Sequence, residues 1–297
     1  MSLLDDLDGE VEEEKQLAKK DNSIVEAELV SICEAYEKWM DDEKANVEKD
    51  LSVLNIYPEA ISEFLCKLKN TYDPKNWGRG KSYFKRSDFE LSGKFVSDLI
   101  ERSHQNGNNN FRFKGEDFPE GVNLVGNWIK GEEDNLIKLT FEEEVKECAW
   151  NSRYLDVIFM DKARSCAKSL RNSKVIFKGE SSDCGKGSVE CNLIFEGEAS
   201  SAVFEASKST IRFNGPTGRF SACGIEDCHV YLMDKIHGRF GEKASNTSFY
   251  SPHIETLNQI PVNWTENCKF YLLDEDEKAT EVTPSKNVKT SDRMNDV

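Results

Sequence analysis

Phe141, Phe159, Phe177, Phe195 and Phe213 follow one another at a constant step of 18 residues. Phenylalanine supplies 17 of the 297 residues, so four successive matches at one spacing are not a product of abundance. A second column keeps the same step. Cys148, Cys166 and Cys184 each lie seven positions after a ladder Phe, with Ala202 and Phe220 on the next two rungs. Two positions before each Phe stand Leu139, Val157, Val175, Leu193 and Ile211, and four after stand Val145, Ala163, Ser181, Ala199 and Thr217. Apolar-x-Phe is the period-two pattern of a short strand with one buried side. One such strand per fixed repeat marks stacked coils, each unable to bury its apolar side alone. The sequence therefore predicts a β-solenoid over 135–273 with coils about 4.8 Å apart along the stack.

Each coil opens on its strand and turns at Gly or an acid (Asp161, Gly179, Gly197, Gly215, Asp234), and most coils then send a small residue and a Cys inward. The last coils stretch by one or two residues, through Val230-Tyr231-Leu232, Phe249-Tyr250 and Lys269-Phe270-Tyr271. An 18-residue coil is also three hexapeptides of a left-handed β-helix, which needs an apolar residue every six positions. Steps of six from Phe159 reach Ser165 and Arg171, and from Phe195 they reach Ser201 and Ser207. The hexad fails, which favours a right-handed β-helix.

Upstream the period changes to that of a helix. Ile24, Val25, Leu29, Ile32, Cys33, Tyr36 and Met40 fall at helical spacing within 23–48, behind a cap at Asn22 or Ser23. Ile61, Phe64, Leu65 and Leu68 share one face of a helix over Pro58–Thr71, where Pro58 suits a first turn. Phe89, Leu91, Phe95, Leu99 and Ile100 mark a third over 87–103, stopped by Gln105-Asn106-Gly107-Asn108. The expected class is α+β, a helical region followed by a single-stranded β-solenoid. The expected divisions are a disordered acidic segment 1–20, helices over 21–107, a connector or lead-in coil over 108–134, the solenoid over 135–273 and a disordered tail over 274–297.

Composition narrows the function classes. The chain holds 55 acidic against 39 basic residues, a formal charge of -16, with seven acids in its first fourteen residues. So acidic a chain repels nucleic acid and anionic membrane, and either partner needs a local basic patch. No stretch approaches the roughly 18–20 apolar residues that span a bilayer. The start Met1-Ser2-Leu3-Leu4-Asp5-Asp6 carries neither the basic nor the apolar run of a signal peptide, so a cytoplasmic protein is expected. Nine cysteines without a CxxC pair, and four histidines, do not match the ligand spacing of structural zinc sites. No metal or cofactor is expected.

Five sets of residues carry chemistry worth weighing. Cys148, Cys166 and Cys184 lie on adjacent coils, but a collinear stack does not close a tetrahedron, and small apolar packing explains them. Cys223 and Cys228 lie near His229 and His237, without a third residue to orient a nucleophile. The acids Glu142, Glu143, Glu144, Asp161 and Asp234 lie around turns, where a solenoid carbohydrate enzyme would cluster carboxylates. The alternative is a solvated acidic rim. The loop 75–86 interleaves Trp77, Tyr83 and Phe84 with Arg79, Lys81, Lys85 and Arg86, a candidate anion-binding loop. The favoured alternative is a helix connection whose aromatics pack on the solenoid while its cations meet the acidic body. Lastly, Ile158, Ile176 and Ile194 immediately precede inward Phe residues and so face outward, with Arg212 and Tyr231 continuing the stripe. An outward isoleucine ladder is a candidate interaction surface, covered by the helices of 23–103 or by another subunit.

The stretches Val175-Ile176-Phe177-Lys178-Gly179, Leu193-Ile194-Phe195-Glu196-Gly197 and Ile211-Arg212-Phe213-Asn214-Gly215 resemble a degenerate GXGXG-type β-helix. That domain is found at the C-terminus of the glutamate synthase large subunit and in one of the subunits of formylmethanofuran dehydrogenase. The resemblance covers the solenoid half, and most of the family's glycines are replaced here by Ser, Ala, Cys and acids. In glutamate synthase the domain is a structural spacer without catalytic residues, so the resemblance implies scaffolding and not a reaction. The expectation is a non-catalytic structural or interaction protein with a protein partner or self-association. The alternatives are an accessory subunit of a larger metabolic oxidoreductase and a carbohydrate-active enzyme working on the solenoid surface.

Overall fold

Leu29, Ile32, Tyr36 and Trp39 recur at steps of three and four, and they form the buried side of helix α1 (24–39). The computed structural model describes residues 24–39, 56–71, 86–114, 125–218 and 220–284. Helix α2 (Pro58–Thr71) begins on Pro58, whose missing N–H is no loss in a first turn, and buries Ala60, Ile61, Phe64, Leu65 and Leu68. Helix α3 (Arg86–Gln105) buries Phe95, Val96, Leu99 and Ile100. The Tyr36 ring meets Phe64 and Phe95 edge-on at 5.2 and 5.3 Å, and its hydroxyl lies 2.7 Å from Ser92 Oγ inside the same core. At the end of α3 the N–H of Asn108 reaches the Ser103 carbonyl at 3.1 Å around Gly107, whose φ of 95° only glycine adopts freely.

The chain divides into two compact units, the helical one comprising 1–108 with 116–122 and the second comprising 109–115 with 123–297. The second unit is a β-solenoid. Its long sheet contains ten strands in the order β1 (Asn110–Phe113), β2 (Ile137–Phe141), β4 (Leu155–Phe159), β6 (Lys174–Phe177), β8 (Asn192–Phe195), β10 (Thr210–Phe213), β11 (His229–Leu232), β12 (Ser248–Ser251), β13 (Lys269–Leu273) and β14 (Ala279–Val282). A second sheet of four two-residue strands is formed by β3 (Val145–Lys146), β5 (Ala163–Arg164), β7 (Ser181–Ser182) and β9 (Ala199–Ser200). From β1 to β13 neighbouring strands of the long sheet run parallel, each coil set in register on the next.

Register turns the sequence columns into stacks. Phe141, Phe159, Phe177, Phe195 and Phe213 are buried and lie nearly parallel, with ring centroids 5.1, 5.0, 4.7 and 4.9 Å apart. Each such ring removes apolar area worth about 1.5–3 kcal/mol from water. Leu232 takes the next rung, and Phe240 fills the space beside Phe213 with an edge-on contact at 5.5 Å.

Corners are made by left-handed backbone. Along one coil, Glu147, Ala149, Asn151 and Tyr154 have positive φ, and the same four places recur as Ser165, Ala167, Ser169 and Asn172 in the next. Few non-glycine residues adopt this conformation, at a cost of roughly 1–2 kcal/mol each. Coil-to-coil hydrogen bonds hold it. The N–H of Ser165 donates to Ser182 at 2.8 Å, and that of Ala167 donates back to Cys148 at 2.9 Å.

Three features depart from the sequence reading. Phe220 is not on the cysteine column. Coils lengthen from 18 to 19 residues after Ile211, which moves Ser221 inward and leaves Phe220 41% exposed. The coil between Phe249 and Phe270 spans 21 residues, three more than the 18-residue repeat, through a helical turn at Ile254–Leu257 and a 3-10 turn at Val262–Trp264. The tail is not wholly disordered: residues 274–282 fold back as a hairpin whose strand β14 runs antiparallel to β13. Strand β1, the first of the long sheet, lies within 108–134, the stretch read as a connector or lead-in coil, and does not depart from that reading.

Candidate functional site: the outward side of the long sheet

A strand shows alternate residues to opposite sides. In β4, β6 and β8 the buried Val-x-Phe or Leu-x-Phe pair leaves Ile158, Ile176 and Ile194 on the outer side, each half-buried. Register places Thr140 before them and Arg212, Tyr231, Tyr250 and Tyr271 after them, as one column across eight strands. The neighbouring outer column consists of Lys138, Asp156, Lys174, Asn192, Thr210, His229, Ser248 and Lys269. Most of these polar residues are exposed, whereas the central stripe beside them is half-buried.

The far half of the stripe is aromatic. Tyr231, Tyr250 and Tyr271 stack with centroids 4.6 and 4.9 Å apart and ring planes 12° and 13° from parallel. The Arg212 guanidinium lies 5.8 Å from the Tyr231 ring centre and pairs with Glu277 at 3.1 Å. His229 Nδ1 is 3.2 Å from the Tyr250 hydroxyl. Burial raises the Tyr250 hydroxyl above the usual phenol range, and the flanking tyrosines add to the effect. The Ile part of this stripe follows from position alone. Tyr250 and Tyr271 occupy the same place after Phe249 and Phe270, a signal blurred in the sequence by the longer coils.

The thiols are core. Cys148, Cys166 and Cys184 are wholly buried, and each donates to the carbonyl two residues behind it, Lys146, Arg164 and Ser182, at 3.3 Å. Burial pushes the Cys166 and Cys184 thiols well above the ordinary range. A second inward column runs Leu155, Ser173, Cys191, Ser209, Cys228 and Thr247. In it the hydroxyls of Ser173, Ser209 and Thr247 accept the N–H of the residue one coil earlier at 3.1, 3.1 and 3.3 Å. Small residues with a donor fit both columns because the left-handed corners turn carbonyls inward. Among the described residues no group of His, Cys, Asp and Glu is placed to hold a metal ion.

The remaining candidates are dispersed. Cys228 is buried and bonds the Glu226 carbonyl at 3.2 Å, whereas the adjacent His229 faces out and is exposed. Cys223 is half-buried and its thiol is raised by burial, and His237 is exposed. Glu142 pairs with Arg112, and Glu144 lies 3.3 Å from Arg164 and 3.9 Å from Lys146. Glu143 and Asp161 face solvent, and Asp234 accepts the Lys235 N–H at 2.7 Å. Of these acids Glu142 and Glu144 are thus met by cations, Asp234 by a backbone N–H, and Glu143 and Asp161 are open to solvent. Arg79, Lys81 and Lys85 lie outside the described residues, and Arg86 is the first residue of α3.

The sequence reading missed one cluster. The Arg239 guanidinium lies between two exposed rings, 5.7 Å from Phe220 and 5.8 Å from Trp264. The three residues sit on three successive coils, and each lies in a lengthened coil where the 18-residue alignment no longer applies.

No helix among the described residues is long and apolar enough to cross a membrane. Comparison with protein-family models, with curated proteins and with solved structures finds no match to this chain.

Proposed function

We propose that this chain is a non-catalytic structural or interaction protein of the cytoplasm whose β-solenoid presents a rigid surface to a protein partner or to a second copy. The observation that carries the reading is the single outward column from Ile158 through Ile194 and Arg212 to Tyr271. Stacked coils fix each of these side chains through the backbone of its neighbours, so a partner meets a surface that loses little entropy on binding. Aromatic residues and Arg are the types that dominate association energy at interfaces. The test compares the full chain with an Ile176→Lys/Tyr250→Ala variant, each purified by affinity from the native host and analysed by mass spectrometry. A stoichiometric partner or self-association lost in the variant is expected. A lone monomer for both overturns the reading.

The second reading is an accessory subunit of a larger metabolic oxidoreductase. It is favoured by the alternating left-handed backbone at Asp183, Gly185 and Gly187 and its equivalents in other coils. This is the geometry that an alternating glycine motif serves, which supports the GXGXG resemblance. Co-purification with an oxidoreductase distinguishes this reading from the first.

A further inference from the structure

Strand β14 buries almost nothing. Ala279, Thr280 and Glu281 are exposed and Val282 is half-buried, so the strand adds little to any core. What it contributes is pairing. It lies in register against β13, with Phe270 opposite Val282 and Leu273 opposite Ala279, and it is the only antiparallel neighbour among the described strands of the long sheet. Its turn is built and held. Asp274 Oδ1 accepts the N–H groups of Asp276 and Lys278 at 3.0 and 2.9 Å, and Glu277 reaches Arg212 at 3.1 Å.

Without β14 the last edge would be β13, whose Phe270-Tyr271-Leu272-Leu273 run is apolar and strongly β-forming. Phe270 and Leu273 are buried, whereas Tyr271 and Leu272 lie half-buried between them. An unpaired parallel edge of that composition is a template for another strand. The strand most like those already stacked on it belongs to a second copy of the chain. Such a contact is heterologous and has no reason to close, so it would extend into filaments. We propose that the hairpin 274–282 is a terminal cap whose reversed strand and acidic turn (Asp274, Glu275, Asp276, Glu277) keep the last coil from recruiting a second copy.

The test measures mass against concentration by light scattering for the full chain, a chain ending at Pro284 and a chain ending at Leu273. Sheet content is followed by circular dichroism. The chain ending at Pro284 is expected to match the full chain, and the one ending at Leu273 to shift to larger, concentration-dependent species. Should the shorter chain fail to fold, two proline pairs decide: Thr280→Pro with Val282→Pro, and Ala279→Pro with Glu281→Pro. Adjacent residues of an antiparallel strand aim their N–H groups to opposite sides, so one pair breaks the bonds to β13 and the other does not. Association by the inward-facing pair alone supports the cap. An unchanged mass for every folded variant overturns it, as does equal association by both pairs.

Discussion

The backbone N–H of Cys166 points at the sulfur of Cys184 one coil further on, 3.4 Å away, while the Cys166 thiol donates back to the Arg164 carbonyl at 3.3 Å. The Cys184 sulfur thus serves the coil before it as an acceptor and its own corner as a donor, to the Ser182 carbonyl at 3.3 Å. A thiol-specific reagent should label Cys223 and Cys268, which are half-buried, well before Cys148, Cys166 and Cys184 in the folded chain. Mass spectrometry of briefly labelled protein checks the order. Equal labelling would mean that the column opens readily.

Burial also couples these thiols to alkaline stability. Cys191 is held up to about 11, so the folded chain keeps a proton that the unfolded chain releases above about pH 8.5. Its contribution is therefore whole below about pH 8.5 and is lost as pH rises through the folded value. The loss approaches about 1.4 kcal/mol per pH unit for one fully buried thiol. Denaturant midpoints between neutral pH and pH 10.5 should fall less steeply for Cys191→Ser, whose hydroxyl matches Ser173 and Ser209 in the same column.

Gly215 passes directly over the Gly197 peptide: a Cβ there would stand 2.6 Å from the Gly197 carbonyl oxygen. Gly215→Ala should destabilise the solenoid by about 1–3 kcal/mol, because the obstacle is backbone and cannot swing aside. Gly224→Ala provides the contrast. No atom comes nearer than 3.7 Å to that Cβ, so only its left-handed φ of 66° opposes the change. A thermal melt in which both variants lose equally would refute the close-packing account.

Phe177 lies between two parallel rings, 5.0 Å from Phe159 and 4.7 Å from Phe195. Phe177→Ala should cost about 3–5 kcal/mol. Since each coil touches only its neighbours, protection from hydrogen exchange should fall first in β4, β6 and β8 and spread little toward β12.

Lys208 is exposed at φ 50°, a left-handed place that suits glycine. Lys208→Gly should stabilise by about 0.5 kcal/mol, the relief of backbone cost less the extra entropy of an unfolded glycine. Lys208→Val, branched at Cβ, should lose about 1 kcal/mol or more. Opposite signs in two melting curves at one position test the strain directly.

The Phe column could be read from sequence because a buried ring has a large, fixed volume that few residues supply. The corners could not. Glu147, Ala149, Asn151 and Tyr154 share a left-handed backbone but no side-chain property, since pairing with the coil above and below fixes the conformation. Phe220 misled because one inserted residue reverses inside and outside while leaving a plausible aromatic on the old count. The hairpin left no mark because β14 has no apolar alternation: its bonds are made by peptide groups alike in every residue. The outward isoleucines were legible by position, whereas the Arg239 sandwich depends on coils of unequal length.

The in-register ladder from β1 to β13 has a mechanical consequence. Hydrogen bonds between coils all point along the stack, so tension applied along that direction loads every bond at one junction together. Tension applied to the backbone of one end coil instead peels one coil at a time, each yielding a few bonds in succession. The same solenoid should therefore be stiff as a strut and yielding as a thread.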